Sequence, residues 1–275
     1  MTAISNKHVL ITGGASGLGR LLALRCAELG ATLSVWDLDE AGAQATAAAA
    51  ADLGLGRARA FACDVGARDQ VLQRAAETMQ TQGPVDILVN NAGVVSGRPL
   101  LELSAEHIER TFRVNTLALF WTTGAFLPDM MARGSGHIVT VASAAGLMGS
   151  PRETDYAASK FAAVGFNEAL RLELRRTAPG LKTTVVCPYY IDTGMFEGVK
   201  TRFPLLLPIL KEEDVTRRIV RAIQRDAQQL VMPWMVRTLP AMRLLPVWAF
   251  DSLADFLGIT TCMDEFCGRA AQDQG

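Results

Sequence analysis

Residues 7–37 read KHVLITGGASGLGRLLALRCAELGATLSVWD, and the order of elements within this stretch decides the fold. An apolar, β-rich run, KHVLIT (7–12), meets a glycine-rich turn. Then comes LGRLLALRCAELG, where Leu18, Leu21, Leu22, Arg25 and Leu29 sample successive helical turns and Gly30 closes the helix. A second β-rich run, ATLSVWD (31–37), follows at once. The same kind of run recurs as RARAFACDV (57–65), VDILVNNAG (85–93), GHIVTVAS (136–143), LKTTVVCP (181–188) and QLVMP (229–233), with helical stretches between. Strand, helix, strand in repetition means parallel strands joined by helical crossovers. The strands are nearly continuous apolar runs, as a sheet buried on both faces requires. The sequence thus predicts an α/β protein: a doubly wound parallel sheet of about seven strands with helices on both faces, in one domain over 1–275.

The Ala-rich AGAQATAAAAADLG (41–54) reads as a surface helix, and no internal repeat is evident. Near residue 233 the alternation stops. Pro233, Pro240 and Pro246 break 233–275 into short pieces, which we read as a C-terminal extension of the same domain.

Charge and cysteine usage exclude several function classes. The 27 basic and 28 acidic residues nearly cancel, with no run of one sign to track a phosphate backbone, so nucleic acid is not an expected partner. An apolar fraction of 49 % is high and suggests extra apolar surface for a greasy ligand, a sister subunit or a membrane face. The first strand begins almost at once, and no stretch of about 18 uninterrupted apolar residues occurs, so a cytoplasmic location is expected. Cys26, Cys63, Cys187, Cys262 and Cys267 suit buried free thiols in a reducing compartment. The Cys262–Cys267 spacing is too wide for a zinc knuckle, and no metal site is expected.

The turn Thr12-Gly13-Gly14-Ala15-Ser16-Gly17-Leu18-Gly19 lies between the first strand and the first helix. Glycines there permit positive φ and let the backbone approach a pyrophosphate, whose charge the helix N-terminus favours. Placed so, Gly13, Ser16, Gly17, Leu18 and Gly19 are expected to hold a dinucleotide. At the end of the second strand, the Asp37 carboxylate can accept hydrogen bonds from ribose hydroxyls and would repel a 2′-phosphate, so NAD is favoured over NADP. Arg20 lies nearby and weighs the other way, and Asp37 could instead serve as a turn or N-cap residue.

Tyr156 and Lys160 lie four apart in TDYAASKFAAVGFNEALRLEL, a strongly helical stretch, so their side chains share a face. A phenol with a pKa of about 10 is a poor base near neutrality, and a neighbouring ammonium favours its ionised form. A Tyr/Lys pair at this spacing is by itself an ordinary surface pair. Ser143 gives it company, because it ends the strand GHIVTVAS at the edge where such sheets bind ligands and can donate to a substrate carbonyl oxygen.

With TGGASGLG (12–19), Asp64-Val65, NNAG (90–93), Asn115, Ser143, Tyr156 and Lys160 in this order, residues 5–235 resemble the short-chain dehydrogenase/reductase family. The resemblance implies a Rossmann-type sheet and hydride transfer between NAD and an alcohol or ketone. It implies that Asp64 and Val65 hold the adenine, and that Asn90, Asn91, Ala92 and Gly93 support the central strand and line the cofactor site. Asn115 would anchor a proton-relay water, and Lys160 would bond the nicotinamide ribose and lower the Tyr156 pKa. Ser143 would fix the substrate oxygen while Tyr156 exchanges its proton. One departure stands out: the family's Pro-Gly after the sixth strand is here Pro188-Tyr189-Tyr190, which weakens the expected carboxamide contacts from Ile191 and Thr193.

The segments CPYYIDTGMFEG, LLLPIL and TTCMDEFCG are similar to the subgroup of retinol dehydrogenases and lipid-droplet 17-beta-hydroxysteroid dehydrogenases, without their N-terminal apolar anchor. Residues 189–212 fall where the family has a mobile substrate lid. They carry Tyr190, Met195, Phe196, Phe203, Leu205, Leu206 and Leu207, which favours a bulky apolar alcohol or ketone of steroid, retinoid or aryl carbinol type, although the same residues could pack or make a dimer contact. Residues 230–259 mix Trp234 and Trp248 with Arg237 and Arg243, compatible with peripheral membrane contact, but three prolines and two aspartates favour burial in a homodimer or homotetramer. Three other readings stay open: a catalytically silent NAD-binding sensor, a 3-oxoacyl-type ketone reductase, and enoyl reduction or sugar epimerisation on the same scaffold.

Overall fold

A computed structural model describes residues 1–53 and 57–268. Strands β1 (His8–Thr12), β2 (Thr32–Asp37), β3 (Ala58–Ala62), β4 (Ile87–Asn90), β5 (Gly136–Val141), β6 (Leu181–Pro188) and β7 (Gln229–Met232) form one sheet. Its order is β3-β2-β1-β4-β5-β6-β7, and all neighbours run parallel. The helices are α1 (Gly17–Glu28), α2 (Glu40–Leu53), α3 (Arg68–Gln82), α4 (Ala105–Phe112), α5 (Ala118–Arg133), α6 (Thr154–Thr177), α7 (Glu212–Gln224), α8 (Leu239–Met242) and α9 (Val247–Phe256).

Successive strand residues point to opposite faces, and both faces are apolar. Val9 and Ile11 pack with Leu33 and Val35 in a core shared with Leu22 of α1, Ala47 of α2 and Ile219 of α7. Leu10, between them, faces the other way and joins Trp36, Val71 of α3, Phe126 of α5 and Leu170 of α6. This is the doubly wound, Rossmann-type architecture that the strand–helix alternation predicts.

Two helices differ in detail from the expectation. In α1 the buried stripe is Leu18, Leu22, Ala23, Cys26 and Ala27, while Leu21 and Leu29 are half-buried and Arg25 is exposed. The small residues let the helix approach the sheet, so the face with fewer leucines is the inner one. Its end is closed as expected: Gly30 N–H donates to the Ala27 carbonyl and Ala31 N–H to that of Cys26, which satisfies two of the carbonyls left free by the last turn. The Ala-rich helix spans Glu40–Leu53 and buries Ala43, Ala47 and Ala50; Gly54, the last residue expected in it, lies outside the described residues.

At the sheet edge opposite the strands' carboxyl ends, His137 is buried with Nδ1 on the Thr2 hydroxyl (3.0 Å) and Nε2 on that of Thr184 (2.8 Å). Burial holds its pKa down to about 4. A histidine depressed in the folded state is protonated first in the unfolded chain, so its contribution is intact above about pH 6.5 and is lost as pH falls towards 4. We expect urea unfolding at pH 5 to show about 2 kcal/mol less stability from this group than at pH 7. A His137→Asn variant with an unaltered pH slope would contradict this.

The C-terminal extension folds back on the β6–β7 side. A 3-10 turn (Trp234–Thr238), α8 and α9 bring Val236, Leu239, Ala254 and Leu257 against Val185, Cys187 and Val231 of the sheet and Ala163 of α6. Each proline stands at or next to the start of a helical turn, where its missing N–H costs nothing. Residues 269–275 of the expected extension lie outside the described residues. Four cysteines are buried as expected, but Cys267 is exposed, because the end of the extension lies over the lid rather than inside the core. Among the described residues no group of three or more metal-ligating side chains occurs, and no helix is long and apolar enough to cross a membrane.

Candidate active site

In a parallel sheet every strand ends on the same edge, and loops leaving there open a crevice where the strand order reverses, here between β1 and β4. The predicted strands 57–65, 85–93 and 136–143 stop earlier, at Ala62, Asn90 and Val141. Their last residues leave the ladder and line a cleft of about 750 Å³. Asp64, Val65, Asn91, Ala92, Gly93 and Ser143 all stand on its wall, with Gly13, Ser16, Leu18, Gly19 and Asp37. Gly17 and Asn115 do not line it.

The glycine turn is built for close approach. Gly13 has φ +66°, and a Cβ on it would stand 2.8 Å from the Ala92 Cα. A Cβ on Gly19 would stand 2.0 Å from the Gly13 carbonyl oxygen and 2.6 Å from Asn91 Nδ2. The turn is braced from below: Asn91 Nδ2 donates to the carbonyls of Thr12 (3.0 Å) and Gly13 (3.1 Å), while the Thr12 hydroxyl accepts the N–H groups of Asn91 and Ala92. From the side, Asp37 Oδ2 accepts the Ala15 N–H at 2.9 Å and its Oδ1 the Asp39 N–H at 3.0 Å. Asp37 is thus a turn residue and a cleft residue together. The first turn of α1 presents its N–H groups to the space so framed, a fitting cradle for a pyrophosphate. Asp64 is held by its own loop, Oδ1 accepting the Gly66 N–H at 2.8 Å.

The segment RTFRVNTLALF (110–120) is not one continuous α-helix. Between α4 and α5, Arg113–Leu117 widens into a π-helical turn, and Asn115 sits in it, buried. Its Oδ1 accepts the Val94 N–H (2.9 Å) and its Nδ2 donates to the Val94 carbonyl (2.9 Å) and to the Ser159 hydroxyl (3.0 Å). Three hydrogen bonds to one side chain hold the widened turn, a distortion common at functional sites. Asn115 therefore ties the loop after β4 to α6 from behind the cleft wall.

Tyr156 and Lys160 are both buried and line the cleft from α6. Lys160 Nζ lies 5.6 Å from the centre of the Tyr156 ring and donates to the Val141 carbonyl at 3.0 Å. The Ser143 hydroxyl stands beside the phenol, accepts the Ala145 N–H (3.1 Å) and reaches the Pro188 carbonyl (3.5 Å). One expectation is corrected here. Burial raises the Tyr156 pKa, the Glu153 carboxylate raises it further, and only the Ser143 hydroxyl opposes them. Burial also brings the Lys160 amine down to about 8. Low dielectric disfavours the charged form of both groups, and Lys160 is not among the groups that shift the phenol here.

Beyond Ser143 a second, apolar cavity opens, with about 50 Å³ of free space. Ser143, Tyr189 and Phe196 line both spaces. Tyr190 lines the apolar one and Met195 the cofactor cleft. Tyr189 takes the position of the family's glycine. Its ring packs edge-on to Tyr190 at 4.6 Å, and Pro188, Ile191 and Thr193 still reach the cleft. The lid is only partly what its composition suggests: Leu207 enters the cavity wall, whereas Leu205 is exposed and Phe203 packs on Phe256 of α9.

Sequence reasoning missed several wall residues. Met235, Leu239, Met242, Leu257 and Ile259 come from the extension, whose short pieces carry no periodicity to show which face is inward. Glu153 was open to detection, since it sits three residues before Tyr156 and thus one helical turn away, but an acid at a helix start is commonplace.

A single-domain α/β oxidoreductase is what this sheet, cradle and Ser/Tyr/Lys cluster define. The chain belongs to the short-chain dehydrogenase family: the short chain dehydrogenase model matches residues 7–202. Its relatives include epidermal retinol dehydrogenase 2 of Mus musculus, 42 % identical over 97 % of this chain and 87 % of that protein. Short-chain dehydrogenase/reductase 3 of Homo sapiens is 40 % identical over 97 % of this chain and 88 % of that one. Among solved structures, a short chain dehydrogenase/reductase from Burkholderia phymatum in complex with NAD superposes with a TM-score of 0.80 at 29 % identity, covering 89 % of this chain and 95 % of that chain. A metagenomic short-chain oxidoreductase in complex with NADP gives 0.70 at 25 % identity, covering 84 % and 98 %.

Proposed function

We propose that this oxidoreductase transfers hydride between NAD and a bulky apolar secondary or allylic alcohol or its ketone, of steroid, retinoid or aryl carbinol type. The observation that carries the reading is the junction at Ser143, whose hydroxyl stands beside the Tyr156 phenol where the cofactor cleft meets an apolar cavity. The bound nicotinamide would supply the hydride acceptor or donor. Gly13, Ser16, Leu18 and Gly19 would hold its pyrophosphate, Asp37 the adenosine ribose, and Asp64 and Val65 the adenine. Ser143 would donate to the substrate oxygen, and Tyr156 would exchange the proton with that oxygen. The neutral phenol carries the proton that a developing alkoxide would take up in ketone reduction.

Retinol dehydrogenases among the relatives support an apolar substrate. The free space of about 50 Å³ is too small for one, so entry would require the cavity to widen. A screen of retinoids, steroids and aryl alcohols by NADH fluorescence, run again with NADP, tests the reading. Turnover confined to small polar alcohols would overturn it.

For the cofactor, two carboxylates, Asp37 and Asp39, line the cleft where a 2′-phosphate would stand. An Asp37→Ser variant keeps an acceptor for the Ala15 N–H and loses a charge. We expect its kcat/KM ratio of NADP to NAD to rise by at least about tenfold. A ratio equal to that of the wild type would remove Asp37 from cofactor choice.

Trp234, Leu244, Val247 and Trp248 remain more than half exposed, at 62, 87, 76 and 73 %. Such a face supports a homodimer or homotetramer covering the extension. Sedimentation of a lone monomer that pellets with liposomes would favour a membrane surface instead.

A further inference from the structure

Glu153 is the one acidic wall residue of the apolar cavity, and the chemistry so far leaves it without a task. It is 1 % exposed. Its Oε2 accepts the Tyr190 hydroxyl at 3.3 Å, while its Oε1 has no hydrogen-bond partner. The nearest alternative donors are engaged elsewhere. The Ser150 hydroxyl donates to the Ile259 carbonyl at 3.3 Å, and the Cys262 thiol to the same carbonyl at 3.0 Å. Of the other wall residues, Ala144, Met148, Leu207, Val236, Leu239 and Leu257 offer no side-chain donor, and the Tyr189 hydroxyl makes no hydrogen bond to Glu153. An unpaired carboxyl oxygen among such groups is costly unless something completes it.

The cavity also opens on Ser143, where the reacting oxygen of the substrate would sit. We propose that Glu153 is a specificity-determining residue: its free Oε1 accepts a hydrogen bond from a second hydroxyl on the substrate, so the site prefers an apolar diol to the matching mono-alcohol. This deepens the reading of the reaction given above and rests on it. Burial brings the carboxyl up to about 7, with the Tyr190 hydroxyl holding it down and Asp155 pushing it up. In either protonation state one oxygen remains an acceptor, so a hydroxyl is the matching partner. A site built to hydrogen-bond a hydroxyl discriminates strongly against the analogue without it, because the buried acceptor is then left unpaired.

The test compares 1-tetralol with tetralin-1,2-diol and tetralin-1,4-diol as substrates, with NAD, for wild type, Glu153→Gln and Glu153→Leu. The wild type is expected to favour at least one diol over 1-tetralol by about tenfold or more in kcat/KM. Glu153→Gln, which keeps an acceptor oxygen, should retain the preference, and Glu153→Leu should abolish it. Equal diol-to-alcohol ratios in wild type and Glu153→Leu would overturn the proposal.

Melting temperature gives a readout independent of turnover. A recognition group maintained against stability predicts that Glu153→Leu melts higher than wild type. A purely structural acid, needed to hold Tyr190, predicts that it melts lower, and that result also overturns the proposal. Failure of all three alcohols to react in the wild type would count against the reading of the reaction, and the melting comparison would then decide on Glu153 alone.

Discussion

Replacing Tyr156 by Phe should leave a protein that folds and binds NADH like the wild type but turns over its alcohol about 10³-fold more slowly. The ring is buried, packs edge-on against Phe196 at 5.8 Å and would be retained, so the change removes one oxygen and nothing of the packing. Lys160 keeps its own anchor on the Val141 carbonyl, so the nearby wall of the cleft should not shift. What is lost is the phenol beside Ser143 at the junction, and with it the group able to move a proton at the substrate oxygen. Steady-state kinetics beside an NADH fluorescence titration separates the two effects. Activity within tenfold of the wild type, with unchanged binding, would remove Tyr156 from the chemistry.

A single methyl group at Gly19 should abolish useful dinucleotide binding. The added Cβ would fall 2.0 Å from the Gly13 carbonyl oxygen and 2.6 Å from the Asn91 amide nitrogen, and neither can give way cheaply. Gly13 is itself held by Asn91, whose amide also holds Thr12, so relief at one point displaces the whole cradle. We expect Gly19→Ala to weaken NADH binding at least about 100-fold, and overpacking of about 1–3 kcal/mol to lower the melting temperature by several degrees. Gly124→Ala is the matched control, because a Cβ there meets nothing within 4 Å. It should bind NADH as the wild type does. Equal binding by Gly19→Ala would show that the dinucleotide does not use this turn.

Much of the architecture was legible in order and pattern. Apolar runs separated by helical stretches specify a parallel sheet, because parallel neighbours need crossovers and a sheet covered twice needs apolar residues on both faces. Strand ends were less legible. Asn91, Ser143 and Val65 read as continuations of their strands and instead turn away to line the cleft, since β-propensity does not register where a neighbouring strand stops. The inner face of α1 is not legible in its leucines: Leu18 and Leu22 are buried with Ala23, Cys26 and Ala27, whereas Leu21 and Leu29 are half-buried.

By itself the sequence determined the sheet, the glycine turn and the identity of the Ser143, Tyr156 and Lys160 group, because these rest on local patterns and fixed spacings. Tertiary structure alone decided the electrical state of that group, since burial is a property of the surroundings and here raises the phenol pKa while lowering that of the amine. It alone decided that the extension after Pro233 walls the apolar cavity through Leu239, Leu257 and Ile259. It also left one oxygen of Glu153 unpaired within that wall. Residues this far apart in the chain meet only through packing, which no local pattern encodes.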